Sequence, residues 1–299
     1  MLAVQQIPTS GGAGIMPETP LEHADAVNDA AVSRCFDKAA ADYVKAARLQ
    51  MAVALDALTL LSPPAWQTLG HSATSGRLLD LGCGPGWVHH NLLNYCDELV
   101  ALDFSAAMLA QARQQGVASQ YLHADAAAVP LAGQSVDKVF SSLMLQWCAE
   151  PLAVLAEVRR LLKPGGRFVL TTLVEESLQE FSASWQQAGF ASPQLAFAAS
   201  DELIRLGRQA GLEVQAQQRS YLLFFPDVQS IAREFKQIGA NAVRRPGAGL
   251  GGKERWARFA RAYEQKRTTQ GLPLTYQVLF LFGQCPADES VMQLAGSIK

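Results

Sequence analysis

The five residues Gly82-Cys-Gly84-Pro-Gly86 constrain this chain more than any other stretch. Three glycines in five positions make a turn whose backbone can pass against a ligand, because no Cβ stands in the way. Ahead of the turn, Arg77-Leu-Leu-Asp-Leu81 is an apolar run long enough for a buried strand and too short for a helix. Behind it, residues 87–96 place Val88, Leu92, Leu93 and Cys96 at a helical period. Strand, glycine turn and helix predict a nucleotide site at the carboxyl end of a strand in a doubly wound α/β sheet.

The spacing narrows the ligand. A dinucleotide turn is G-x-G-x-x-G, whereas this one is G-x-G-x-G with Asp80 just before it. A carboxylate there disfavours a pyrophosphate and suits a cationic or amino-bearing ligand. S-adenosylmethionine has a sulfonium and an α-amino group and no phosphate. Residues 98–102 read as the next strand and end at Asp103, about twenty residues beyond the glycines, where an acidic side chain meets ribose hydroxyls. His123-Ala-Asp125 closes a third strand and offers Asp125 to an adenine amino group. Met108 lies one turn into a helix capped by Ser105; it packs on adenine or belongs to the core, and the sequence leaves both open.

Together DLGCGPG, LDFSAAML, HADAAAVPL and LLKPGGRFVLTT resemble the class I S-adenosylmethionine-dependent methyltransferases. The resemblance implies an α/β fold with a Rossmann-like seven-stranded sheet, mostly parallel with the last strand antiparallel, and helical lid elements. It implies S-adenosyl-L-methionine as cofactor and S-adenosyl-L-homocysteine as product.

Along the chain, residues 1–26 lack an apolar period and predict a mobile tail. Residues 27–76 are alanine-rich, predicting two helices ahead of the sheet, with Tyr43 and Gln50 seven apart on one face. The methyltransferase domain is set at 77–285. Residues 136–142 read as a strand ending near Ser141, Leu143, Gln146 and Trp147 at the ligand edge, and 151–162 as a helix stopped by Lys163-Pro-Gly-Gly166. A strand over 167–173, an irregular stretch over 174–200, a helix over 201–210 and strands over 213–225 and 273–282 complete the reading. Residues 227–270 form a helical basic insertion broken by glycines at 244–252, and 286–299 a second tail. His89 and His90 are taken as surface residues.

Net charge is −2, but residues 231–267 carry ten Lys/Arg and three Asp/Glu, a local +7 that leaves −9 elsewhere. Such a block suits an anionic partner, or is a solvated helix face. Phe235, Trp256, Phe259 and Tyr263 recur within it at a packing period, which argues against a nucleic-acid stacking surface. The five cysteines form no C-x-x-C pair and their number is odd, so they read as reduced thiols and not as metal ligands or disulfides. No apolar run approaches a membrane span, and the amino terminus lacks a secretory pattern. A cytoplasmic enzyme without membrane attachment or metal is expected.

The flanks refine the resemblance. FDKAAADYVKAARLQ, LMLQWCAEP, TTLVEESLQEFSASWQ, FKQIGAN and GLPLTYQVLF are similar to the malonyl-[acyl-carrier protein] O-methyltransferases of biotin synthesis, over about residues 28–283. The glycine-rich 244–252 departs from that pattern. The resemblance implies methylation of the free carboxylate of a malonyl thioester on acyl-carrier protein. Tyr43 and Gln50 would close over the cofactor, with Tyr43 nearest the reacting atoms. Gly82, Gly84 and Gly86 would admit the methionine portion, Asp80 its amino group and Asp103 the ribose. Lys236, Arg244 and Arg245 would receive the substrate carboxylate or the carrier surface, and nucleic acid is not expected as a partner. The competing expectation is a methyltransferase for another small acid or for tRNA. A carboxylate is already ionised at neutral pH, so no general base is needed and none is found in the sequence.

Overall fold

The computed structural model describes residues 5–7, 36–37, 47–61, 76–193, 196–237 and 252–287. Among the described residues, eight strands form one sheet: β1 (Gln5–Ile7), β2 (Arg77–Leu81), β3 (Glu98–Asp103), β4 (Gln120–His123), β5 (Val136–Ser142), β6 (Leu162–Leu173), β7 (Glu213–Phe225) and β8 (Leu272–Gln284). Their order is β1-β7-β8-β6-β5-β2-β3-β4. β4, β3, β2, β5 and β6 are mutually parallel, and β8 runs antiparallel to both β6 and β7. The expected seven strands are all present. β1 is an addition: it pairs Gln5, Gln6 and Ile7 antiparallel with Leu222, Tyr221 and Ser220, within a stretch expected to be a tail.

β2 and β3 are buried along nearly their whole length, as parallel strands covered on both faces must be. One face is covered by α1 (Arg48–Leu58), α2 (His89–Leu92), α3 (Ala106–Gln115), α5 (Gln179–Gln187), α7 (Val228–Gln237) and α8 (Gly252–Glu264). The other carries α4 (Pro151–Leu161) and α6 (Ser200–Gln209). α3 begins on Ser105, whose side chain accepts the Met108 amide, and ends on Gly116 at φ 65°. α4 has Pro151 in its first turn, where its missing N–H costs nothing.

Three local expectations change. The helix expected over 87–96 is one short turn, α2, followed by a 3-10 turn at Leu93–Tyr95. Lys163-Pro-Gly-Gly166 does not precede a strand but lies inside β6. There the register shifts between Val136↔Leu162 and Lys138↔Arg167, and Lys163 Nζ reaches Asp137 at 2.9 Å. The stretch expected to be irregular contains α5, which buries Phe181, Ser184 and Trp185. Spacings of three and four put these on one helical face, and Trp185 stacks on Phe259 of α8 with ring centroids 4.3 Å apart. Phe259 and Tyr263 are fully buried, so the aromatics of the basic insertion do pack inward.

Candidate active site

The parallel strands end together on one side, and the glycine turn continues the β2–β3 pairing there. The Gly82 and Cys83 amides both donate to the Leu102 carbonyl, at 2.8 and 2.9 Å. Gly82, Gly84 and Gly86 have φ of +77°, +55° and +75°, values that side-chain-bearing residues rarely adopt. A Cβ on Gly82 would fall 2.4 Å from Met144 Cγ, whereas one on Gly84 would meet nothing within 4 Å. Gly84 therefore borders open space.

That space is a cavity of about 300 Å³. Asp103 and Asp125 line it with Met108, Phe36, Leu143 and Trp147, among others. Asp103 Oδ2 accepts the Gly84 amide at 2.7 Å, and its Oδ1 accepts Ser105 N at 2.8 Å. The expected ligand acceptor is thus also the brace of the glycine turn. An ionised carboxylate has about four lone-pair sites, so both oxygens retain acceptor capacity. Burial pushes the Asp103 carboxyl up to about 6, although the two amides pull the other way. Asp125 is exposed at the rim, its Oδ1 accepting Ala127 N. Met108 is buried against the cavity.

A second space, of about 30 Å³, adjoins the turn and is lined by Gln50, Asp80 and Gly84. Gln50 Oε1 and Asp80 Oδ2 are buried there and have no hydrogen-bond partner among the described residues. Two unsatisfied acceptors on residues that line one small space match the chemistry of a donor-bearing, positively charged group. Gln50 arrives on α1, and the two spaces bring together Gln50, Asp80, Gly82, Gly84, Asp103, Met108 and Asp125; Gly86 lines neither, and a Cβ there would meet His89 and Ala112. Tyr43, Arg244 and Arg245 lie outside the described residues, as does the side chain of Lys236.

A profile described as "Methyltransferase domain" matches residues 79–170. The malonyl-[acyl-carrier protein] O-methyltransferase of Alcanivorax borkumensis is 36% identical over 270 residues, covering 88% of each chain. That of Yersinia pestis is 33% identical over 273 residues, 90% of this chain and 94% of the other. The chain belongs to this methyltransferase family. It is an enzyme. The biotin biosynthesis bifunctional protein BioHC of Cellvibrio japonicus is 37% identical over 262 residues, and the chain spans 50% of its length. Among solved structures, the complex of a methyltransferase with the Haloferax volcanii Trm112 methyltransferase activator matches with a TM-score of 0.53 at 22% identity. It covers 84% of this chain and 97% of that one, a likeness of fold.

Several residues of this methyltransferase site escaped the sequence reading. His89, expected at the surface, is fully buried and its Nε2 lies 3.3 Å from Asp80 Oδ2. His90 is exposed, as expected. The only signal for His89 is its place one turn after Gly86, on the side of Leu92 and Cys96. Phe36 and Asp37 also contribute: Phe36 meets Trp147 edge to face at 5.4 Å, and Asp37 accepts from Ser105 Oγ and Ala107 N at the start of α3. Leu143, which the sequence already placed at the ligand edge beyond β5, adopts φ 53°. Its amide donates to both Thr171 O and Thr171 Oγ1, and its carbonyl accepts from Gln146 Nε2, whose own Oε1 accepts from Thr172. A strained residue persists when its surroundings over-determine it, and this one shapes the cavity wall.

Proposed function

We propose that the site transfers a methyl group to the free carboxylate of a malonyl thioester carried on acyl-carrier protein, giving the malonyl methyl ester that enters biotin synthesis. The observation that carries this reading is the pair of unsatisfied acceptors, Gln50 Oε1 and Asp80 Oδ2, beside a glycine turn at the sheet's ligand edge, in a chain of this family. S-adenosylmethionine is the methyl donor; when bound, it supplies an electrophilic sulfonium methyl.

The residues of the chain bind and orient. Asp80 and Gln50 accept from the donor's ammonium group. Gly82 and Gly84 let the backbone approach its methionine portion, and Gly86 keeps the turn compact against His89. Asp103 accepts from the ribose hydroxyls while bracing the turn, and Asp125 and Met108 frame the adenine. The substrate carboxylate is ionised at neutral pH and needs no base. What remains for the protein is alignment of nucleophile and methyl group and the exclusion of water. Tyr43, carried by the helices of 27–76 that cover the site, contributes position and a hydrogen bond near the reacting atoms. Lys236, Arg244 and Arg245, in the basic insertion 227–270 of a methyltransferase domain over 77–285, receive the substrate carboxylate or the acidic carrier. Arginine suits bidentate carboxylate contact. Residues 1–26 and 286–299 play no part in the chemistry. The enzyme works in the cytoplasm and without nucleic acid; no helix among the described residues is long and apolar enough to cross a membrane.

Mixing the protein and S-adenosylmethionine with malonyl-acyl-carrier protein, with malonyl-CoA or with tRNA, and weighing each product, tests this directly. A gain of one methyl group on the malonyl carrier supports it. Methylation of tRNA, or of a small acid to the exclusion of the carrier, overturns it.

A further inference from the structure

The residue that the binding scheme leaves unexplained is His89. It is fully buried, and neither ring nitrogen has a hydrogen-bond partner among the described residues. A buried polar ring without partners is costly, and an aliphatic side chain would fill the same volume without that cost. The surroundings nevertheless accommodate this ring closely. A Cβ on Gly86 would lie 2.6 Å from His89 Cε1 and Nδ1, so the absence of a side chain at 86 leaves room for the imidazole. Tyr121 flanks it with ring centroids 6.3 Å apart. On the remaining side stands Asp80, whose Oδ2 is 3.3 Å from Nε2. That distance permits a charge–dipole contact, but the alignment falls short of a hydrogen bond.

We propose that His89 is a positioning residue for the methyl donor's ammonium group, acting through Asp80. A neutral imidazole has a single N–H; placed on Nε2 it attracts Asp80 Oδ2 and biases the carboxylate toward one rotamer. Because the contact is not a formed hydrogen bond, the oxygen keeps its lone pairs for a ligand. An acceptor ordered in advance spares the ligand the entropy of ordering it. His89 itself does not line the small space beside Gln50 and Asp80, so its influence is indirect. The inference rests on the assignment of Asp80 to the ammonium group made above.

Two ligands separate its failure from the failure of that assignment. S-adenosylhomocysteine carries the amino-acid portion, whereas 5′-deoxy-5′-methylthioadenosine has the same adenosine and lacks it. Calorimetric titration of the full chain with each, for the parent, His89→Leu, His89→Gln, Asp80→Asn and Asp80→Asn/His89→Leu, provides the test. His89→Leu should raise the dissociation constant for S-adenosylhomocysteine about tenfold, the scale of one interaction with a charged group, and leave methylthioadenosine within about twofold. His89→Gln, which keeps an N–H donor, should recover part of the loss. The double variant should bind no worse than Asp80→Asn, since two residues acting through one contact are not additive. Equal weakening of both ligands by His89→Leu, or none, overturns the proposal, as does additivity in the double variant. If His89→Leu does not fold, His89→Gln decides: a loss confined to S-adenosylhomocysteine supports the role, and a loss on both ligands or on neither rejects it. If Asp80→Asn leaves S-adenosylhomocysteine binding intact, the ammonium assignment itself fails, and with it the role given to His89.

Discussion

At the glycine turn, the bond that sets the geometry joins Gly84 to Asp103, 19 positions apart. At the antiparallel end of the sheet, Arg48 reaches Glu234 across 186 positions, and Tyr221 donates to Asp56 across 165. The first region is backbone held by a neighbouring strand. The second is a cap: α1, which packs on β5 and β6, is tied to β7 and α7 by side chains. Arg48 also lies over the Phe225 ring at 5.0 Å, and Arg219 stands 3.5 Å from Asp56. The contrast assigns different work to the two regions. Cofactor geometry is built into consecutive strands, and coverage of the site depends on contacts between distant parts of the chain. Gln50 connects them, since it rides on the cap helix and faces the turn.

If the regions are separable, damage to the aromatic core between α5 and α8, on the antiparallel side of the sheet, should spare the turn. Phe259 is fully buried between Trp185, Phe181 and Tyr263. Phe259→Ala should lower the unfolding free energy by about 3–5 kcal/mol, read by urea denaturation. The folded fraction should bind S-adenosylhomocysteine within about twofold of the parent, and a much larger loss would break the comparison.

A smaller effect is expected on the other side. Asp103→Ala should weaken S-adenosylhomocysteine by about 1.5–3 kcal/mol, through lost charged hydrogen bonding. Acidity gives a finer readout. With the folded carboxyl at about 6, above its ordinary value, the contribution of Asp103 to folding is fully present below about pH 4 and disappears as pH rises through 6. Ligand binding should run the opposite way: acceptance of ribose hydroxyls needs the carboxylate, so affinity should fall as pH drops through about 6. Asp103→Asn should flatten that slope in a calorimetric series. A slope unchanged in Asp103→Asn would place the titrating group elsewhere.

The smallest effect should come from the link between the regions. Glu234→Gln leaves Arg48 without its 2.6 Å partner. Breaking a fully buried pair costs about 3–5 kcal/mol, but the Arg48 side chain is 28% exposed, so about 1–2 kcal/mol is expected here. Because α1 carries Gln50, the dissociation constant for S-adenosylhomocysteine should also rise a few fold. Arg48→Met with Glu234→Leu should restore stability, as apolar replacement of both members of a buried pair often does. A stability loss with unchanged binding would mean that the cap is tied down without informing the turn.

This contrast also explains what could be read in advance. Residues 77–81, 98–103 and 213–225 are apolar or alternating runs with clear ends, and the acidic residues after the strands follow from the ligand's chemistry; all of this is local. Gln50 was legible as a partner of the site only through family resemblance, because its orphaned oxygen matters only once α1 is set against the turn. α5 was not legible, since Ser182 and Ser184 between Phe181 and Trp185, and the flanking Gln179, Gln186 and Gln187, dilute the apolar period. The burial of His89 had no sequence signal beyond its spacing from Gly86. It takes the actual approach of β2, α2 and Gly86 to turn a histidine pair into one buried ring and one exposed ring.

The position of β8 has a consequence for how the chain is made. It is the last strand in sequence, yet it sits between β6 and β7 and pairs with both along most of its length. As the polypeptide leaves the ribosome, β2 through β6 can zip together from their own neighbours. β7 has no place beside them until residues 272–284 emerge. Two unpaired edges therefore wait during synthesis, and β1 must still find Ser220–Leu222 at the far margin. Exposed edges of this kind invite pairing with other chains. The cap is accordingly the last part of the molecule to assemble, and the nascent chain is most vulnerable to association in the interval before β8 fills its slot.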